Sequence, residues 1–156
     1  MMERKTLRLS GYDYSKQGFY YVTIIPQNKK YTFSTIIDDK INLNMIGKII
    51  DTRWKWLFEH YAHLSLDEYI IMPDHFHGIV HILPESVGDG RDRPLHYLKR
   101  KPLPEIIGVF KTTSSKLIHQ QGYTDFKWHK SYHDRILREN EINIKREYIK
   151  LNPLRG

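Results

Sequence analysis

Apolar residues recur at three- and four-residue spacing from position 45: Met45, Ile46, Ile49, Ile50, Trp54, Leu57 and Phe58. That period predicts an amphipathic helix. Asn44 stands where its N-cap belongs, and the pattern fades over 60–63. Ile106, Ile107, Val109, Phe110, Leu117 and Ile118 predict a second helix over 103–121, with Gly122 as its C-terminal cap. A third helix is expected over 139–151, with Pro153 just past its end.

The strand signals have a different period. Phe19 to Ile25 is rich in aromatic and β-branched residues and reads as a strand, followed by a loop at 26–29. The 31–36 stretch is expected to pair back as a short strand. Residues 64–72 and 75–83 read as two strands, broken by Pro73-Asp74 and closed by Pro84. So tight a junction implies an antiparallel hairpin. The second half of 128–137 is a further strand candidate. Strand, helix, strand, strand, helix, strand is the split βαβ, or ferredoxin-like, plan of the α+β class. It implies an antiparallel sheet with helices on one face, followed by the C-terminal helix. The 156 residues suit a single domain over 1–156. Within it, 85–104 collects Gly88, Gly90, Pro94, Pro102 and Pro104 with several Arg and Lys, and reads as a mobile basic loop.

Alternation along the second hairpin strand separates two sets of side chains. Phe76, Val80 and Ile82 take one face, with Gly78 between them, where another backbone or a ligand is expected to come close. His75, His77, Ile79 and His81 take the other. Two imidazoles on one face make a bidentate site for a divalent metal. Asp74 points the opposite way from its neighbour His75 and reads as a turn residue. On the third helix, Tyr148 and Asn152 are one turn apart and share a face. Trp54 and Trp56 are expected to pack on the first helix rather than to stack on bases.

Charge narrows the partner class. The net charge is +7, aromatic residues make up 13%, and the sequence pI is about 9.5. These favour a polyanion, nucleic acid first. Lys111, Lys116, Lys127, Lys130 and Arg135 are candidates for phosphate contacts. The absence of cysteine excludes disulfides and thiolate chemistry and fits a cytoplasmic protein. No apolar run reaches the length of a membrane helix, and no cleavable signal is apparent.

Met72-Pro73-Asp74-His75-Phe76-His77, together with Tyr148-Ile149-Lys150-Leu151-Asn152-Pro153, resembles the REP-associated tyrosine transposases. These are relatives of the single-strand transposases of small bacterial insertion sequences, in the HUH endonuclease superfamily. The resemblance extends to the opening Tyr-Tyr-Val-Thr strand, to 107–111 and to 128–136, and lapses over 85–104. It implies that His75, His77 and Asn152 hold Mg²⁺ or Mn²⁺, with the two nitrogens favouring Mn²⁺, and that Tyr148 is the nucleophile. His133 and Asp134 resemble a recurrent pair of the family and are candidates to line the site around these residues. His81 is another, from its place on the ligand face of the strand. The implied activity is cleavage and transfer of single-stranded DNA at hairpins through a 5′-phosphotyrosine, in transposition or a domesticated derivative of it. The implied partner is hairpin-forming single-stranded DNA, bound by a monomer or homodimer associated with the bacterial nucleoid. Two competitors remain open: a nucleic-acid-binding module that does not cut, and a metal phosphoesterase that uses water.

Overall fold

A computed structural model describes residues 16–27, 29–84 and 100–155. Four strands form the main sheet: β1 (Gly18–Ile24), β4 (Leu64–Met72), β5 (His75–Ile82) and β6 (His133–Leu137). Their order is β4-β5-β1-β6, and every neighbouring pair is antiparallel. The connections from β1 to β4 and from β5 to β6 run through α1 (Met45–His60) and α2 (Leu103–Gln120). This is the ferredoxin-like arrangement the sequence predicts. The final helix, α3 (Glu139–Arg155), packs on the opposite face of the sheet. Of the basic stretch 85–104, only residues 100–104 are described; 85–99 lies outside the described residues.

Period-2 alternation builds the core. Tyr20, Val22 and Ile24 of β1 and Phe76, Val80 and Ile82 of β5 face α1 and α2 and are buried. Trp54 of α1 fills the gap over Gly78, with its ring centre 4.5 Å from that of Phe76 and 5.2 Å from that of Phe110. A Cβ at Gly78 would stand 2.9 Å from the Phe76 ring and 3.0 Å from the Trp54 ring. The close approach expected at this glycine is therefore made by a core side chain. Trp56 is half-buried at the margin of this core, stacked on His60 with Arg53 over its ring.

Asn44 caps α1 as expected, its Oδ1 accepting from the Gly47 N–H at 2.9 Å. Gly47 also lets the helix press on the preceding chain, since a Cβ there would stand 2.1 Å from the Phe33 carbonyl oxygen. The two helical glycines should therefore respond to alanine with opposite signs. A methyl group added at Gly108 in α2 would have nothing within 4 Å, so Gly108→Ala should stabilise by up to about 1 kcal/mol. Gly47→Ala should destabilise by about 2–3 kcal/mol, because the clash is with backbone. Urea unfolding of both variants tests this; a shift of the same sign in both contradicts it.

The expected return pairing of 31–36 does not form. Ser34–Ile37 (β2) instead pairs forward with Lys40–Leu43 (β3), in a separate two-stranded sheet. The turn is Asp38-Asp39 with φ of 52° and 63°, the left-handed pair a tight hairpin needs. The third helix also differs from expectation: it continues through Pro153 to Arg155. Proline removes one N–H, and in the last turn that costs a single intrahelical bond. At the other end, the Glu141 carboxylate accepts from the Arg138 N–H at 2.9 Å and pairs with Arg135, starting the helix in the manner of a capping box.

Few apolar side chains dock α3. Ile149 packs with Tyr21, Ile79 and Leu137, with Ile142 and Tyr148 at the margin. Arg146 adds a two-pronged ion pair to Asp67 of β4, at 2.9 Å from Nε and 2.7 Å from Nη2.

Candidate active site on the second face of the sheet

The face of β5 away from the core carries the histidine pair. The His75 and His77 ring centres are 4.4 Å apart, with planes at 69°. Asp74 accepts from His75 Nδ1 at 2.7 Å, so this residue does more than make the turn. His77 Nδ1 is bonded to the Thr23 hydroxyl at 2.9 Å, across the β1–β5 register. Both imidazoles thus use Nδ1 to fix their orientation and keep Nε2 for other contacts, the arrangement of orienting partners that metal-binding histidines use. Burial, with help from the His75 and Lys145 charges, pushes the His77 pKa down to about 4. Its ring is neutral at pH 7, the state a ligand needs.

That shift has a testable consequence. In the unfolded chain His77 takes up its proton near the ordinary 6.5, and in the metal-free fold only near 4. Acidification across that window therefore favours unfolding, and the stability this group contributes above pH 6.5 is drained by pH 4. An NMR titration of the metal-free protein should give His77 a midpoint near 4. A midpoint at or above 6.5 contradicts the burial argument.

α3 brings the tyrosine to the pair. The Tyr148 ring centre is 6.1 Å from that of His77 and 6.5 Å from that of Tyr21, edge-on to both. Tyr21 in turn stacks on His77 at 5.4 Å. Lys145, one turn before Tyr148, holds its Nζ 4.5 Å from the Tyr21 ring centre and 5.2 Å from that of Tyr148. Asn152 is buried at 6% exposure, one turn beyond the tyrosine, and its Nδ2 donates to the Tyr148 carbonyl at 3.4 Å. This use of Nδ2 leaves the side-chain carbonyl oxygen for a cation.

In chemistry, two imidazoles and an amide oxygen are donors that suit Mg²⁺ or Mn²⁺. Among the described residues no group of three or more His, Cys, Asp or Glu comes together to hold a metal. A cation here would therefore depend on the amide, on water and on substrate oxygens to complete its shell.

The other sequence candidates separate by face. His133 lies beside Thr23 across the β1–β6 register and shares the face of His77, so it can line the site. Asp134 pairs with Val22 and shares that residue's side of the sheet, with the core helices; alternation removes it from the histidine face. His81 shares the right face but sits four residues along β5, roughly 13 Å away at the usual strand rise. There it stacks on Phe19 at 3.8 Å, next to Asp67 and Arg146, and belongs to the docking of α3.

The basic candidates divide as well. Lys111 points its ammonium at three backbone carbonyls, those of His129 at 2.8 Å and of Lys130 and Ser131 at 3.3 Å, so it positions that loop. Arg135 pairs with Glu141. Lys116, Lys127 and Lys130 line an open groove of about 830 Å³ beside α2, together with Phe126 and Trp128. The residues missed by sequence reasoning are Thr23, Tyr21 and Lys145. Tyr21 and Thr23 lie within the Tyr-Tyr-Val-Thr strand that the resemblance covers, and Lys145 left its three-residue spacing from Tyr148 as a signal.

The sheet and its helices make an α+β fold that is shared with a solved structure. The solved structure of a REP-associated tyrosine transposase bound to a REP hairpin superposes with a TM-score of 0.64 over 95% of this chain and 73% of that one, at 15% sequence identity. A second solved structure, described provisionally as a transposase of Deinococcus radiodurans, gives a TM-score of 0.46 over 92% of this chain and 95% of that one, at 16% identity. No protein-family profile matches the chain. The chain belongs to the same family as an uncharacterized protein of Haemophilus influenzae, to which it is 30% identical over 161 residues, covering 97% of this chain and 88% of that protein.

Proposed function

We propose that this protein is a metal-dependent endonuclease and strand transferase for single-stranded DNA at hairpins, with Tyr148 as the nucleophile. The observation that carries the reading is the meeting of the His75–His77 pair of β5 with Tyr148 of α3, on the face of the sheet away from the core. The shared fold of the hairpin-bound REP-associated transposase supports it. So does the net charge of +7, which suits a DNA backbone.

In this reading the Tyr148 phenolic oxygen forms a bond to the phosphorus of the DNA backbone as the bond from phosphorus to the 3′ oxygen breaks. The phenol gives up its proton, and the departing 3′ oxygen takes one up. One ester replaces another, so the 5′-phosphotyrosine keeps the energy needed for rejoining and no ATP is required. His75, His77 and Asn152 would hold Mg²⁺ or Mn²⁺, which when bound would neutralise charge on the non-bridging oxygens. Asp74 and Thr23 keep the two imidazoles aimed. DNA transposition, or a housekeeping derivative of it, is the process such chemistry serves.

The test is incubation of the full chain with Mn²⁺ and end-labelled hairpin DNA whose single-stranded flanks are randomised, resolved on denaturing gels. A protein–DNA adduct that survives denaturation and is absent in EDTA is expected. Tight binding with no adduct in any pool favours a non-cutting module instead. Metal-dependent cleavage without adduct favours a phosphoesterase in which water attacks.

A further inference from the structure

We propose that Lys145 is a phosphate seat of this site, its ammonium gripping a non-bridging oxygen of the DNA strand beside Tyr148. The inference rests on the reading above and adds a substrate-binding residue to it.

Three observations carry it. The first is position. Lys145 and Tyr148 are three residues apart on α3 and share a face. The Lys145 Nζ lies over the rings of both phenols at the site, 5.2 Å from the centre of Tyr148 and 4.5 Å from that of Tyr21. A phosphate close enough for the Tyr148 oxygen to attack is within reach of an ammonium placed there.

The second is charge balance. Arg146 is bound to Asp67 at 2.7 Å, and Lys150 lies 3.9 Å from both Glu68 and Glu147. Arg135, on β6, is held by Glu141 at the start of the helix. Lys145 has no carboxylate within ion-pair distance among the described residues. Its positive charge acts on His77 with no carboxylate to balance it, which suits an anionic substrate.

The third is donor capacity. An aromatic face attracts a cation without taking up its N–H groups in directed bonds. Lys145 therefore keeps its hydrogens for an oxygen ligand while the rings hold it in place. Lys111 shows the alternative in the same molecule, since its ammonium is occupied by the carbonyls of His129, Lys130 and Ser131.

The experiment compares wild type with Lys145→Met and Lys145→Arg. The probe is the hairpin oligonucleotide that wild type binds most tightly when selected from the randomised pool, a selection that needs no cleavage. Affinity is measured against salt in EDTA, adduct formation in Mn²⁺, and folding by thermal melting. We expect Lys145→Met to melt like wild type and to flatten the plot of log affinity against log salt by about 0.7, the loss of one single-strand phosphate contact. Adduct formation should slow by about 100-fold, the scale of removing one electrostatic donor from a reacting centre. Lys145→Arg should restore the salt slope and most of the rate. An unchanged slope in Lys145→Met overturns the phosphate seat, and if wild type still forms adduct the tyrosine reading survives it. A flattened slope with no adduct from wild type keeps the seat and rejects the cleavage chemistry. Slow adduct formation with an unchanged slope and no rescue by arginine marks Lys145 as structural support only.

Discussion

Tyr148→Phe loses the covalent DNA adduct, with the rate falling by at least about 10⁴-fold, the scale at which covalent enzymes respond to losing their nucleophile. Hairpin affinity and fold should persist. The substitution removes one hydroxyl and leaves the ring in contact with His77 and Tyr21 and under Lys145. Any hydrogen bond lost with the hydroxyl is worth about 1 kcal/mol. The neighbouring phenol is the control. Burial, aided by the proximity of Tyr148, pushes the Tyr21 pKa well above that of an ordinary phenol, so it resists becoming a phenolate. Tyr21→Phe should therefore still form adduct. The measurement is the denaturing gel with both variants beside wild type, scored with binding and melting curves. Adduct from Tyr148→Phe together with loss in Tyr21→Phe would move the nucleophile to β1 and sink the assignment.

The strand and helix that carry the candidate site were legible in sequence because they follow short-range rules. His75 and His77 share a face by strand alternation alone, and the bond of Thr23 to His77 follows only from the cross-strand register. Asn44 announced α1 through a contact three residues long. What stayed illegible depends on neighbours distant in the chain or on balances of small terms. The β2–β3 hairpin turns on Asp38-Asp39, where glycine would have been the usual marker for a left-handed pair. Pro153 reads as a helix end, yet the last turn tolerates it. The sidedness of Asp134 was hidden because its strand could be placed only roughly before its pairing with Val22 was known. The docking face of α3 was least visible of all. The helix carries little apolar surface inward and leaves Ile144, Leu151 and Leu154 exposed, so no stripe marks the buried side.

What replaces the missing stripe is chiefly the Arg146–Asp67 ion pair, between residues 79 apart in sequence, and it supports the last prediction: Arg146→Ala releases α3 while the core stays folded. The Asp67 side chain is 8% exposed and that of Arg146 is 35% exposed. Removing the arginine strands a nearly buried carboxylate, the costly way to break such a pair. Removing the aspartate leaves a cation that can turn to water. Arg146→Ala should therefore be the more damaging, costing about 2 kcal/mol of docking after allowance for the partly exposed arginine. Burial raises the Asp67 pKa, but the Arg146 hydrogen bonds and charge, with the Glu68 N–H, outweigh it and hold the carboxyl below its ordinary 3.8. A carboxyl lowered by folding stabilises above its unfolded value, and that contribution fades as pH falls through the folded one. Wild-type α3 should thus stay docked down to pH near 3.8 and loosen below it. Amide hydrogen exchange reads both effects. We expect fast exchange across 142–152 in Arg146→Ala at neutral pH, with protection kept in β1 and β5, and a parallel fall in adduct yield as Tyr148 drifts from the histidines. Uniform loss of protection throughout the sheet would show that α3 and the core open as one unit. Unchanged protection would show that Ile149 and its few apolar partners dock the helix without the ion pair.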